Sequence, residues 1–394
     1  MSADPHACMA QGGSASPGAG GIFEMLRILA IALAVIAGIH GLIHLLGFVA
    51  YWPLAKISET PYKTTLLGGR LDIGAAGMKV YSLLWLLAAL SFVIAAVALA
   101  IGKSRWAPLM LAAALLSLVL CILDWEAAFR GALIDLALLL VLGVVFGLRM
   151  QPAPLPPYTA PAMPLETIPL PAGLPEPVER FYRLTYGDQV PVYTSAVISG
   201  RGSLRFMGIT FPARWRFSHL AGQDYRHYIE ATFYGLPIMK VNEHYLDGHS
   251  RLALPFGVVE NDPGVDSAAN QGLWGETMFF PAVFLTDQRT RWEAVDEKTT
   301  KLTVPFNEDE QVFTVDFDRQ TGLMTRMETL RYRDAKVGKL RWWGEVMPGK
   351  NRAGQPVTQF AVTWEDEGTP WLVIQIEDIV FNTDVSSYVR QTGP

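Results

Sequence analysis

The hydrophobic positions of the chain follow two patterns, and the change between them falls near residue 150. Before it, long apolar runs approach the roughly 20 residues that a helix needs to cross about 30 Å of hydrocarbon. These runs predict four transmembrane helices, at residues 26–52, 80–101, 106–123 and 131–148. The short connections at residues 102–105 and 124–130 predict antiparallel neighbours.

Beyond residue 150, apolar residues alternate with polar ones between turns rich in Gly, Pro and Asp. Alternation with a period of two predicts strands that bury one face. Residues 267–287 depart from this pattern, because their apolar residues have helical spacing around Pro281, and they predict one kinked helix. With a second helix at residues 177–187, about eleven strands would form a mostly antiparallel sheet, curled into an open half-barrel.

The predicted fold class is therefore an α-helical membrane bundle joined to a soluble β domain. The predicted linker between them contains ten prolines and is typical of a stiff, polyproline-like spacer. The N-terminal segment lacks the basic region and apolar core of a signal peptide, and Met25 is an alternative start. We predict a disordered tail at 1–21, a transmembrane domain at 22–150, the linker at 151–177 and the β-rich domain at 178–394.

Composition narrows the class of protein. Of the 394 residues, 51% are hydrophobic and 18% are charged, which is too apolar for an ordinary soluble enzyme and favours a membrane protein. A net charge of -5 supplies no basic surface, so nucleic acid is excluded as a partner. The two cysteines, Cys8 and Cys121, offer no disulfide framework.

The segment HGLIHLLGF places His40 and His44 on one face of the first predicted helix, four residues apart. An ionisable group inside a membrane helix needs a partner, and Asp124 and Asp135 are expected at a similar depth. We predict that at least one histidine lies within hydrogen-bonding reach of one of these carboxylates. Two interpretations stay open for the four residues: interhelical hydrogen bonds, or a site that binds a metal ion or passes a proton.

The soluble part contains two further groups of candidate residues. Glu243, His244, Asp247 and His249 surround a predicted turn, and we interpret them as surface residues rather than a metal site. A cluster of aromatic residues predicts either a solid core or the wall of a cavity for an apolar ligand. The candidate cavity residues are Trp215, Trp274, Phe279, Phe280, Phe284 and Trp292.

Motifs that would define an enzyme are missing from the sequence. It has no G-x-S-x-G nucleophile elbow, no P-loop, no dinucleotide-binding glycine motif after a strand and no paired zinc motif. The sequence therefore favours a protein that is not an enzyme, with no catalytic residue and no cofactor predicted.

Several segments resemble known families. HGLIHLLGF at 40, SLLWLLAAL at 82 and DWEAAFRGALIDL at 124 resemble an uncharacterised four-helix membrane module of bacteria. GRGSLRF at 200, WGETMFFPAVFL at 274 and RW at 291 resemble the bacterial domain of unknown function 6544. The soluble part is also similar, in architecture only, to the half-barrels of lipoprotein carriers, which implies a curled sheet around an apolar cavity.

These observations lead to three hypotheses of function. The first is a multi-pass protein of the plasma (inner) membrane whose β domain, outside the cytoplasm, binds a lipid or other apolar molecule at the cell envelope. The alternative is a membrane enzyme, or a proton or metal module, that uses His40, His44 and the acidic residues. The third is an envelope scaffold without a ligand. The lipid bilayer is the expected partner in each, and protein partners are not predicted.

Overall fold

The computed structural model describes residues 17–58, 60–159, 161, 163–255, 257–333, 338–350 and 356–391. The chain divides into two compact units, Met1–Gly147 and Leu148–Pro394. Most of the predicted disordered tail lies outside the described residues, and from Pro17 onward the chain is helical.

Within the described residues, the first unit contains four helices that are long and apolar enough to cross a membrane, as predicted. Three of them begin earlier than the sequence predicted, and residues 124–130 are not a turn. Only Asp124 separates the third helix from the fourth, because Glu126, Ala127, Ala128 and Arg130 are residues that favour helix. The helices are α1 (Pro17–Tyr51), α2 (Gly74–Ala100), α3 (Trp106–Leu123) and α4 (Trp125–Arg149).

Two glycines of α1 allow it to approach α2 closely. A Cβ atom at Gly41 would lie 2.6 Å from Cβ of Phe92, and one at Gly47 would lie 2.5 Å from the Trp85 ring. Both distances are far below van der Waals contact, so the packing needs glycine at these positions. The connection from α1 to α2 contains a small hairpin of β1 (Thr65–Leu66) and β2 (Leu71–Asp72).

The second unit is built on one antiparallel sheet of thirteen strands. A separate ribbon of β3 (Glu166–Pro169) and β4 (Gln189–Val192) flanks α5 (Glu176–Tyr186). The sheet strands are β5 (Ser195–Phe206), β6 (Ile209–Leu220), β7 (Asp224–Phe233), β8 (Leu236–Leu246), β9 (His249–Leu254), β10 (Gly257–Glu260), β11 (Arg291–Ala294), β12 (Thr299–Phe306), β13 (Asp309–Phe317), β14 (Met324–Tyr332), β15 (Lys339–Lys350), β16 (Pro356–Trp364) and β17 (Leu372–Phe381).

The order of the strands shows two meanders joined by the last strand. The order is β10-β9-β8-β7-β6-β5-β17-β16-β15-β14-β13-β12-β11, so β17 pairs with β5 and links the two halves. The open antiparallel sheet was predicted correctly, but the sequence missed β9, β10 and the ribbon. These strands are short, and β10 is exposed throughout, so they lack the buried alternation that reveals a strand.

The predicted kinked helix is several shorter elements. Helix α6 (Pro263–Glu276) begins earlier than predicted, because the Asp262 side chain accepts hydrogen bonds from the N–H groups of Gly264 and Val265 and caps it. A 3-10 turn (Thr277–Phe279) follows, and Pro281 separates it from α7 (Val283–Thr286). A second 3-10 turn (Tyr388–Arg390) lies near the C-terminus.

Helix α6 shows that the sheet is strongly curved. It contacts β8 and β9 in one meander and β12 and β14 in the other. Six strands lie between β8 and β14, so a flat sheet would hold these two strands about 34 Å apart at about 4.8 Å per step. Helix α6 has 14 residues, so it is about 21 Å long and roughly 10–12 Å across, which is shorter than this distance in either direction. The sheet therefore curls, and α6 lies against its concave face.

Candidate functional site

A cavity of about 790 Å³ lies between α6 and the concave face of the sheet. Most of its wall is apolar and comes from both meanders, for example Ile229 and Val241 on one side and Phe360 and Val362 on the other. Charged groups also line it, among them His227, Glu243, Glu276 and Arg331. The cavity is thus apolar with a polar region, as small-molecule sites usually are.

Of the six aromatic residues predicted for such a cavity, only Phe279 lines it. Trp215, Trp274, Phe280 and Phe284 are at most 1% exposed and lie in the solid core. Trp292 packs against that core, with its ring centroid 5.9 Å from that of Phe284. Aromatic residues on an inner face predict burial, but the sequence does not show which of them meets empty space.

A compact ionic cluster forms at the polar side of the cavity wall. Glu276, the last residue of α6, contacts both histidines: its Oε2 lies 3.0 Å from Nε2 of His219 and 2.6 Å from Nε2 of His227. On the far side of the His227 ring, Nδ1 lies 3.2 Å from Oε2 of Glu243. We call these four residues the cavity cluster.

The register of three neighbouring strands positions the cavity cluster. His227 on β7 is the direct partner of Glu243 on β8 and of Phe217 on β6. His219 is two residues from Phe217 and therefore shares its face, diagonally opposite His227. Glu276, at the end of α6, lies at the point that both imidazoles face.

The cavity cluster is strongly coupled by charge. Burial alone lowers the pKa of His227, but Glu276 and Glu243 outweigh it and raise this pKa to about 9. Burial raises the pKa of Glu276, yet the His227 charge and the two imidazole hydrogen bonds lower it to about 2. Burial lowers the pKa of His219 more than Glu276 raises it. At neutral pH an imidazolium at His227 therefore lies between two carboxylates, beside a neutral His219.

Sequence reasoning missed His219, His227 and Glu276, and it misplaced Glu243 and His244. Both were interpreted as surface residues of a turn, but Glu243 belongs to the cavity cluster. His244 is buried, with Nδ1 2.6 Å from the carbonyl oxygen of Val389. The two residues do point to opposite faces of β8, as expected for adjacent strand residues. His249 is exposed as interpreted, at 80% of its side chain.

Arg331 adds a positive charge to the cavity wall. Its Nε donates a hydrogen bond to the carbonyl oxygen of Ala268 at 2.9 Å, and its guanidinium lies 4.7 Å from the Trp342 ring centroid. The helix backbone and the indole thus hold the guanidinium in place. Arg331 also lowers the pKa of Glu243, although hydrogen bonding and charge from His227 lower it more, against the rise that burial causes.

The helical unit contains a second histidine–carboxylate network. His40 Nε2 lies 2.9 Å from Oδ1 of Asp135, which confirms the predicted contact between a histidine and a carboxylate. Ser117, which the sequence did not single out, donates to Oδ2 of Asp135 at 2.6 Å and lies 2.7 Å from His44 Nε2. The other nitrogen of His44 lies 2.8 Å from the carbonyl oxygen of His40. We call these four residues the membrane network.

Asp124 lies outside the membrane network. Its carboxylate accepts hydrogen bonds from the hydroxyl of Tyr51 and the ammonium of Lys63. The four residues proposed from the sequence as weak metal candidates are therefore divided, because Asp124 is engaged elsewhere while His40, His44 and Asp135 share the network with Ser117.

The fold and the two clusters define a class of protein: an open, curled β sheet with an internal cavity, in a chain that also carries four candidate membrane-spanning helices. The sequence profile of the family of unknown function DUF6544 matches residues 165–376. The chain therefore belongs to this family.

Two further comparisons add little. No curated protein matches the chain. A crystal structure of a domain from Vibrio parahaemolyticus, named for outer membrane lipoprotein sorting, is similar over 55% of this chain and 93% of that domain, with 14% identity and a TM-score of 0.31. At this score the similarity carries no argument about the function of the chain.

Proposed function

We propose that the β unit binds a lipid or another apolar molecule at the cell envelope and that the helical unit anchors it in the membrane. The observation that supports this most is the cavity of about 790 Å³ between α6 and the concave face of the sheet. Its volume falls within the roughly 300–1,000 Å³ of pockets that enclose small molecules.

The chemistry of the wall favours a ligand that is apolar over most of its length. A ligand that covers apolar side chains such as Ile229, Val241 and Phe360 removes their surface from water, which contributes about 25 cal/mol for each Å² covered. Arg331 and the cavity cluster lie on the same wall and would orient a polar end of the ligand. The proposed ligand class is therefore an amphiphile with a long apolar part.

A substitution that fills the cavity tests this proposal. A Cβ atom at Gly344 on β15 meets only Met278 Sδ, at 3.7 Å, so Gly344→Phe places a ring in the cavity. Val312→Phe on β13 is the matched control, because Val312 is 46% exposed. We expect the full-length wild type and the control, in nanodiscs of phosphatidylcholine, to bind a fluorescent fatty acid.

Gly344→Phe should weaken this binding at least tenfold while the unfolding temperature stays within a few degrees of the control. Undiminished binding by a folded Gly344→Phe protein would contradict the proposed cavity. An absence of binding by the wild type, together with no lipid found by native mass spectrometry, would contradict lipid binding itself.

We further propose that the protein spans the plasma (inner) membrane with the β unit outside the cytoplasm. An even number of spans places the two ends of the helical unit on one side, and the N-terminal segment and the proline-rich linker carry few charges that would hold them inside. In a background without Cys8 and Cys121, a membrane-impermeant thiol reagent added to intact cells should label Glu297→Cys and not Lys56→Cys. The reverse labelling would place the β unit in the cytoplasm.

The membrane network favours a second candidate function, the transfer of protons. The single hydroxyl hydrogen of Ser117 can be donated to His44 or to Asp135, but both lie within hydrogen-bonding distance of it. His44 Nδ1 lies 2.8 Å from the carbonyl oxygen of His40, so the imidazole of His44, the hydroxyl of Ser117 and the carboxylate of Asp135 form a continuous chain of groups that can pass a proton. Proton flux into liposomes that is present in the wild type and absent in Asp135→Asn would support this candidate.

A further inference from the structure

We propose that His219, His227 and Glu276 form a binding site for a divalent transition-metal ion such as Zn²⁺, at the cavity wall of the β unit. The Nε2 atoms of both imidazoles and a carboxylate oxygen of Glu276 all lie within 4.8 Å of one another. Two imidazole nitrogens and one carboxylate oxygen are the ligands of many zinc sites. Metal binding by these residues does not depend on which ligand the cavity holds.

The distances suit an ion after a small movement of one side chain. Zinc lies roughly 2.0–2.2 Å from nitrogen and oxygen ligands, so the ligands of a tetrahedral site lie roughly 3.3–3.6 Å from each other. Nε2 of His219 lies 3.0 Å from Glu276 Oε2, and Nε2 of His227 lies 2.6 Å from it. A shift of roughly 0.4–0.8 Å by the Glu276 carboxylate makes room for the ion. Glu276 ends its helix, and its side chain is 14% exposed.

Glu243 occupies the position of a second-shell carboxylate. With Oε2 3.2 Å from Nδ1 of His227, it keeps the hydrogen of a neutral imidazole on Nδ1 and leaves the Nε2 lone pair directed at the site. Histidine ligands of metal ions are commonly oriented in this way. Without a metal ion, a proton lies between His227 and Glu276. A bound metal ion would replace this proton and supply the positive charge.

The charges and surroundings also suit a divalent ion. The carboxylates of Glu243 and Glu276 together balance a charge of about +2 when both imidazoles are neutral. His219 is fully buried on β6, so one ligand is held rigidly, while His227 and Glu276 line the cavity and give an ion a path to the site. Three protein ligands leave a coordination position for water or an anionic group. The imidazoles favour zinc, cobalt or nickel over calcium or magnesium.

Metal binding by the full-length, detergent-purified protein tests the site. After treatment with a chelator and desalting, the wild type should take up one equivalent of Zn²⁺ by elemental analysis, and Co²⁺ should produce a visible absorption band. Glu276→Gln, which keeps the shape of the side chain, and His219→Ala should each lose at least tenfold in affinity. Glu243→Gln should lose 10- to 100-fold and keep the stoichiometry.

Two control variants separate this site from other histidines. His249→Ala, at an exposed histidine on β9, should keep one equivalent of Zn²⁺. The His40→Ala, His44→Ala double variant should keep it as well. Zn²⁺ should also raise the unfolding temperature of the wild type and leave that of Glu276→Gln unchanged. A wild type that binds no stoichiometric Zn²⁺, or a folded Glu276→Gln protein with wild-type affinity, would overturn the proposal. The residues would then form an ionic cluster that binds no metal.

Discussion

The membrane network and the cavity cluster contain the same kinds of residue, but the first is enclosed by apolar helices and the second lies beside a cavity. In the membrane network, His40, His44 and Asp135 are at most 3% exposed, and every polar atom must find its partner inside the helical unit. In the cavity cluster, Glu276 and Glu243 remain 14% and 16% exposed, and both line the cavity. A closed network is constrained by its own hydrogen bonds, whereas an open one can exchange a partner for water, an ion or a ligand.

The largest effect that we expect is from Asp135→Ala. It removes the acceptor of both His40 and Ser117 inside an apolar bundle, and breaking such a buried pair costs about 3–5 kcal/mol. The loss of unfolding free energy is measured by denaturant unfolding of the full-length protein in one detergent, monitored with a probe of the helical unit. Asp135→Asn keeps one acceptor and should lose less. Equal stability of Asp135→Ala and wild type would show that the network does not stabilise the unit.

A smaller loss is expected from Glu276→Ala in the metal-stripped protein. His219 and His227 lose their shared acceptor, but His227 keeps Glu243 and faces a cavity from which water can replace the missing oxygen. The cost should therefore be about 1–3 kcal/mol, the range for an unsatisfied buried polar group. Unfolding of the β unit under the same conditions measures it. A loss as large as that of Asp135→Ala would mean that the cavity cluster is as closed as the membrane network.

The smallest expected effect is the pH dependence of an ion pair at Glu230, on the face of β7 opposite to His227. Burial raises the pKa of Glu230, but hydrogen bonds from Tyr228 and Arg214 outweigh it and lower the pKa below its usual value. The ion pair with Arg214, at 2.6 Å, should therefore stabilise the fold above the unfolded pKa of about 4.3 and lose this effect as pH falls through the lower folded value.

We compare the free energy of unfolding of the wild type with that of Glu230→Gln. The wild type should be the more stable of the two, and the difference should be smaller at pH 3 than at pH 7. A difference that stays constant between these two pH values would show that the lowered pKa of Glu230 does not contribute to stability. Tyr228→Phe removes one of the two hydrogen bonds and should give an intermediate result.

The comparison also shows how far each site could be predicted. His40 and His44 share a helix face whatever surrounds them, and the depth of Asp135 along its own helix made it an expected partner. The cavity cluster had no such local signal, because Glu276 is separated from His219 by 57 residues and from His227 by 49. The alternation of apolar and polar residues predicted that both histidines lie on strands, but it did not predict that α6 packs against these strands.

Local periodicity determined which segments of this chain form long apolar helices and which form strands, because apolar run length and residue spacing act through the nearest turns of the backbone. Tertiary structure alone decided three further features: the insertion of β17 beside β5, the curl that brings both meanders to α6, and the choice of Phe279 rather than Trp215 or Trp274 for the cavity wall. Each depends on contacts between residues far apart in sequence, where hydrophobicity favours burial without specifying the partner.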